Sequence, residues 1–179
     1  MSAVDEGENA GSDTVSADNN VAIGLQALLG GDMGDASSSS GANRIFDGNI
    51  AIGAYALDAT DTNPHTGTIA IGHQSLTACT SGSGNIAIGY QAGLAITTST
   101  QNILIGYSAG KTLTGSGGEN ICIGYGAGED ADQANTAAIR NVYIGNSAGN
   151  NMDDGAYNVA VGHKAMFSTG GVNSATYNV

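Results

Sequence analysis

The stretch NIAIGYQAGLAITTSTQNILIGYSAGKTLTGSGGENICIGYGAG, residues 85–128, contains one short phrase three times, and the phrase decides the fold. IAIG at 86–89, ILIG at 103–106 and ICIG at 121–124 have further copies on both sides: VAIG at 21–24, IAIG at 50–53, IAIG at 69–72, VYIG at 142–145 and VAVG at 159–162. Eight recurring copies mark a stacked architecture, in which each repeat buries its apolar surface against its neighbours. The expected fold is all-β, a parallel β-roll or β-solenoid of eight coils.

Aligned on the phrase, the sequence resolves into columns. The first is Asn20, Asn49, Thr68, Asn85, Asn102, Asn120, Asn141 and Asn158. Val21, Ile50, Ile69, Ile86, Ile103, Ile121, Val142 and Val159 follow, and two positions later stand Ile23, Ile52, Ile71, Ile88, Ile105, Ile123, Ile144 and Val161. Alternation along a strand places these two β-branched columns on one face. Ala22, Ala51, Ala70, Ala87, Leu104, Cys122, Tyr143 and Ala160 lie between them and point to the other. The aliphatic face is expected to turn into the coil, and the mostly alanine face to allow close approach of identical chains.

A glycine closes every copy: Gly24, Gly53, Gly72, Gly89, Gly106, Gly124, Gly145 and Gly162. Glycine at one register points to a turn with positive φ, or to an approach too close for a Cβ. Three positions on, Ala27, Ala56, Ser75, Ala92, Ala109, Ala127, Ala148 and Ala165 form a second column of small residues, which implies a second tight packing site.

The opening residues are separated by 29, 19, 17, 17, 18, 21 and 17 positions, so each coil holds about two short strands plus turns, with length variation confined to the connections. Those connections are rich in Gly, Ser, Thr, Asn and Asp, which favour turns. At a strand spacing of roughly 4.8 Å, eight coils make a rod about 40 Å tall. Residues 1–19 read as a polar arm or attachment segment and residues 20–179 as the β-roll. At the C-terminus, Tyr177, Asn178 and Val179 repeat Tyr157, Asn158 and Val159 and so open an incomplete ninth coil, which is expected to continue or to be covered by another protein.

The chain has 29 glycines and no tryptophan, a thin core for 179 residues, and a trimer around an axis is expected to bury more surface. Sixteen acidic and four basic residues give a net charge of −12. Without a basic cluster, neither nucleic-acid binding nor docking on an anionic membrane is expected. The N-terminal residues carry neither the basic start nor the apolar run of a secretory signal, and no membrane insertion is expected. Cys79 and Cys122 lie in different coils without metal-type spacing and read as free thiols, Cys122 as a small buried hydrophobe.

NIAIGYQAG at 85–93, NILIGYSAG at 102–110, NICIGYGAG at 120–128 and NVYIGNSAG at 141–149 resemble the NTAIGYQAL-type arrays of bacteriophage tail fibres. They are also similar to the head repeats of YadA-like trimeric autotransporter adhesins. The resemblance covers residues 20–166 and implies a left-handed, homotrimeric β-roll. It further implies a virion fibre or appendage, assembled in the host cytoplasm, with the chain itself, other virion proteins and a host-surface glycan or protein as partners. A structural spacer or capsid decoration without receptor binding is one alternative. A bacterial adhesin head at the cell surface is the other, and the chain shows no signal, stalk heptads or anchor strands of that group.

No enzyme is expected, and no catalytic residue, cofactor or metal is assigned. Glu129–Asp130 and Asp153–Asp154 are adjacent carboxylates, whereas glycoside hydrolysis needs two that face each other across a substrate, so they read as solvated loop charges. GGDMGD at 30–35 lacks the EF-hand or RTX spacing. His73 and His163 share one column with Tyr90, Tyr107 and Tyr125. These tyrosines are expected to form a surface ladder, which either stiffens the rod or grips a partner.

Overall fold

The computed structural model describes residues 15–16, 19–29, 44–60, 65–113, 117–130, 138–152, 155–169 and 177–179. It contains β1 (Val15–Ser16), β2 (Val21–Ile23), β3 (Arg44–Asp47), β4 (Ile50–Ile52), β5 (His65–Thr66), β6 (Ile69–Ile71), β7 (Ile86–Ile88), β8 (Ile103–Ile105), β9 (Ile121–Ile123), β10 (Val142–Ile144) and β11 (Val159–Val161), and no helix among the described residues. Each copy of the phrase supplies one strand of an eight-stranded sheet, β2-β4-β6-β7-β8-β9-β10-β11. All pairs are parallel and in register, so that Ile86 pairs with Ile103 and Ile103 with Ile121. A smaller sheet, β1-β3-β5, runs beside it. Over the described residues the strands stack as a parallel β-solenoid of about six turns.

Strands of three residues cannot stand alone; they persist because both backbone edges are used by the rungs on either side. The turns repeat as regularly as the strands. In every coil, left-handed residues stand just before the asparagine column and at the second and fourth positions after the closing glycine, as at Gln101, Ser108 and Gly110. A non-glycine residue there costs roughly 1–2 kcal/mol. The backbone hydrogen bonds that the turn makes to the adjacent rung offset this, such as Ser108 N–H to the Tyr90 carbonyl at 2.9 Å.

The faces of the strands are the reverse of the expectation. The interior is lined by the small column: Ala51, Ala70, Ala87, Leu104 and Cys122 are fully buried, as is the alanine column from Ala56 to Ala148. The isoleucine and valine columns lie outside, half-buried along the middle of the sheet and exposed at both ends, where Ile23 is 55% and Val161 64% accessible. The reason is volume. One coil's interior is narrow, and at several rungs two of its columns exchange size, while at Ala87 and Gly93 both are small and Leu76, Leu104 and Ile96 reach into the space. Leu57 and Leu76 follow Ala51 and Ala70, whereas Gly110 and Gly149 follow Leu104 and Tyr143. A Cβ on Gly110 would lie 2.6 Å from Cδ2 of Leu104, so the two positions share one side chain's worth of space. Two ladders of isoleucine have no room inside.

The asparagine column forms a buried polar ladder. Asn102 donates its backbone N–H and its Nδ2 to Oδ1 of Asn85, both at 2.9 Å. Asn120 repeats the pattern on Asn102, Asn141 on Asn120, and Asn158 on Asn141, at 3.0–3.2 Å in the last two rungs. The remaining Nδ2 hydrogen reaches a backbone carbonyl across the coil, that of Ala138 from Asn120 and that of Gly155 from Asn141. Asn178 donates to Asn158 in the same manner. Thr68 interrupts the ladder and turns its hydroxyl to the Gly82 carbonyl.

Candidate interaction surfaces

All eight closing glycines have φ between +128° and +138°. At Gly124 an added Cβ would also lie 2.5 Å from the carbonyl oxygen of Gly145, so both conformation and space exclude a side chain there. The glycine column lets consecutive rungs approach at the edge of the sheet. It also carries the chain from the isoleucine face to the next outward column.

That next column is the aromatic ladder. Tyr90 and Tyr107 stack with centroids 4.9 Å apart at 20°, and Tyr107 and Tyr125 at 5.2 Å and 11°. His73 continues the stack on Tyr90 at 5.6 Å and 12°, and Tyr55 meets His73 edge-on. His163 lies on the exposed surface. Within the stack the ring faces of Tyr90 and Tyr107 are covered by neighbouring rings, and only Tyr125, at its end, has a face without an aromatic neighbour. A sugar gripped by stacking would need an uncovered face.

A second ladder occupies the left-handed position before the asparagines. The Arg140 guanidinium makes a forked pair with Glu119, Nε to Oε2 at 2.9 Å and NH2 to Oε1 at 3.1 Å. It also donates to the Tyr157 hydroxyl at 2.8 Å, with its carbon 5.6 Å from the ring centroid, and Tyr157 stacks on Tyr177 at 4.9 Å. The hydrogen bonds from Arg140 hold the Glu119 carboxyl below its usual range, and the pair raises Arg140 further. Both side chains are about half exposed, so the pair fixes geometry more than it adds stability.

Between Gln101 and Thr66 the same side of the solenoid is grooved. Gly67 and Gly84 occupy the second ladder's column there and contribute no side chain. The groove, of about 410 Å³, is lined by Thr66, Ser83, Gly84, Thr100 and Gln101. Sequence reading overlooks it because Thr66, Ser83 and Thr100 fall in connections. Their common register with respect to the asparagine column is the signal that would reveal it.

Burial pushes the Cys79 thiol up to about 11 and that of Cys122 to about 12, and raises the Tyr143 phenol. Both cysteines are free. Glu129 and Asp130 are half-buried, while Asp153–Asp154 and residues 30–35 lie outside the described residues. Among the described residues no three His, Cys, Asp or Glu side chains converge to hold a metal ion, and no helix is long and apolar enough to cross a membrane.

Comparison of the chain with protein-family models, with curated proteins and with solved structures finds no match.

Proposed function

We propose that the chain is a segment of a homotrimeric virion fibre or appendage, a left-handed β-roll of eight coils per chain that serves host attachment without enzymatic activity. The observation that carries this is the outward double ladder of isoleucine and valine. Eight rungs at about 4.8 Å and two ladders side by side make an apolar stripe about 34 Å long and roughly 10 Å wide. A continuous patch of several hundred Å² on a soluble protein marks an interface. Three such stripes facing a common axis close the surface, whereas the alanine column is spent inside each coil. The resemblance of residues 20–166 to phage tail-fibre arrays supports the same arrangement.

A spacer or decoration protein is a second reading, favoured by the aromatic ladder, whose covered ring faces suit stiffening. Native mass measurement with light scattering tests the assembly: a monomer would overturn the fibre reading. Adsorption of the purified protein to host cells separates attachment from a spacer.

A further inference from the structure

We propose that the groove lined by Thr66, Ser83, Gly84, Thr100 and Gln101 binds a neutral glycan chain lying along the solenoid axis. The inference rests on the attachment reading and gives it a ligand class and a site.

The chemistry of the groove is narrow. Its side chains are three hydroxyls and one amide, and none is charged. Thr66, Thr100 and Gln101 are exposed, and Ser83 is half-buried, its Oγ accepting from the Thr66 N–H at 3.3 Å. An anionic ligand would find no cation in this lining, and the chain as a whole is strongly acidic. A cation would find neither carboxylate nor imidazole. A peptide strand seeks free backbone groups, but here the rungs use them on one another: Gly84 N–H donates to the Thr66 carbonyl, Gln101 N–H to that of Ser83 and Glu119 N–H to that of Thr100. What remains is a row of hydroxyls and an amide, each able to donate and accept, repeated at the rung spacing. A polyhydroxylated, uncharged chain matches that row.

The glycines make the space. Gly67 and Gly84 adopt φ of +62° and +71°, and a Cβ at Gly67 would meet nothing within 4 Å. Other coils carry Gln101, Glu119, Arg140 and Tyr157 in that column with the same left-handed φ, so the fold accepts a side chain where the groove has none. A shallow, open site of this kind binds weakly, and three copies in a trimer would raise its avidity.

The test is saturation-transfer NMR and titration of the full chain with neutral maltohexaose, cellohexaose and chitohexaose, with a sulfated oligosaccharide as the anionic control. We expect at least one neutral oligosaccharide to bind, and the Thr100→Val and Gly84→Gln variants each to weaken it by about tenfold, the first by removing a hydroxyl and the second by filling the groove. If Gly84→Gln fails to fold, Thr100→Val alone decides. Binding of none of the neutral oligosaccharides, binding of the sulfated one only, or undiminished binding by the folded variants would overturn the proposal. Native mass keeps the two readings apart: a trimer that ignores all three neutral sugars rejects the groove and leaves the fibre, while a sugar-binding monomer does the reverse.

Discussion

Leu104 and Gly110 occupy one volume: a Cβ on Gly110 would stand 2.6 Å from Cδ2 of Leu104, and Leu113 closes the same space from the far side at 2.9 Å. Two rungs earlier the assignment is reversed, with Ala70 on the strand and Leu76 at the turn, both fully buried. At these two rungs one leucine fills the interior from either column, and at the rung between them, where Ala87 and Gly93 are both small, Leu76, Leu104 and Ile96 fill it.

This exchange predicts a compensation. Leu104→Ala leaves a cavity and should cost about 2–5 kcal/mol. Gly110→Leu alone should also destabilise, through overpacking. The double variant Leu104→Ala/Gly110→Leu restores the Ala70/Leu76 pair, although Leu113 stands where that rung has the smaller Cys79, and should recover part of the loss. A double-mutant cycle by chemical denaturation measures the coupling, and simple additivity would show that the columns do not share space.

The same exchange is what sequence reading misses. The period-2 alternation of VAIG and its relatives places Ile103 and Ile105 on one face and Leu104 on the other, and the repeats give the parallel solenoid. Alternation does not say which face is inside. The usual preference for the larger aliphatic residues in the core sends Ile105 inward, yet a single coil is too thin for two isoleucine ladders. The anticorrelation of residue size between 51 and 57, 70 and 76, 104 and 110, and 143 and 149 is visible in the sequence and identifies the interior. The groove is less legible, because it depends on missing side chains at Gly67 and Gly84 rather than on a motif.

Ile105→Asp and Leu104→Asp should consequently behave differently. Ile105 is half-buried on the outer face, so its aspartate variant should keep β-structure by circular dichroism while losing the proposed trimer by light scattering. Leu104→Asp puts an unpaired charge into a fully buried site and should prevent folding. Equal unfolding by both would return the isoleucine face to the interior.

Gly124→Val should block folding of the central coils. Its φ is +135°, a conformation costly for a β-branched residue, and its Cβ would lie against the Gly145 carbonyl. Soluble protein with an unchanged melting temperature would remove the turn assignment.

His65 predicts acid sensitivity above the carboxylate range. Its ring is fully buried beside Phe46, with centroids 6.0 Å apart, and neither nitrogen makes a well-formed hydrogen bond, the Thr80 backbone being a weak polar neighbour. Burial lowers its pKa from 6.5, outweighing the nearby Thr80 backbone, which works the other way. Above 6.5 both folded and unfolded chains hold it neutral, and nothing is lost. As pH falls below 6.5 the unfolded chain binds a proton that the folded chain refuses, so stability declines toward the lowered folded value. Asp58, raised by burial, acts in the opposite sense and lower on the scale. His65→Phe, which repeats the Phe46 side chain in its own column, should flatten the loss just below 6.5 in a pH series of melting curves. An unchanged slope would place the acid sensitivity elsewhere.

The asparagine ladder gives the last test. Oδ1 of Asn102 accepts two hydrogen bonds from Asn120, and its own N–H and Nδ2 donate to Oδ1 of Asn85. Asn102→Leu would leave the Asn120 donors without their acceptor and Oδ1 of Asn85 short of one donor, in a site with no water access. Each unsatisfied buried group costs about 1–3 kcal/mol, so the variant should lose several kcal/mol although leucine is the more apolar residue. Asn102→Thr should be tolerated better, because Thr68 already stands in this column: its N–H donates to Oδ1 of Asn49, and its hydroxyl finds a backbone carbonyl. Chemical denaturation of the two variants decides the matter. A leucine variant as stable as the wild type would mean that the ladder follows from the fold and does not hold it.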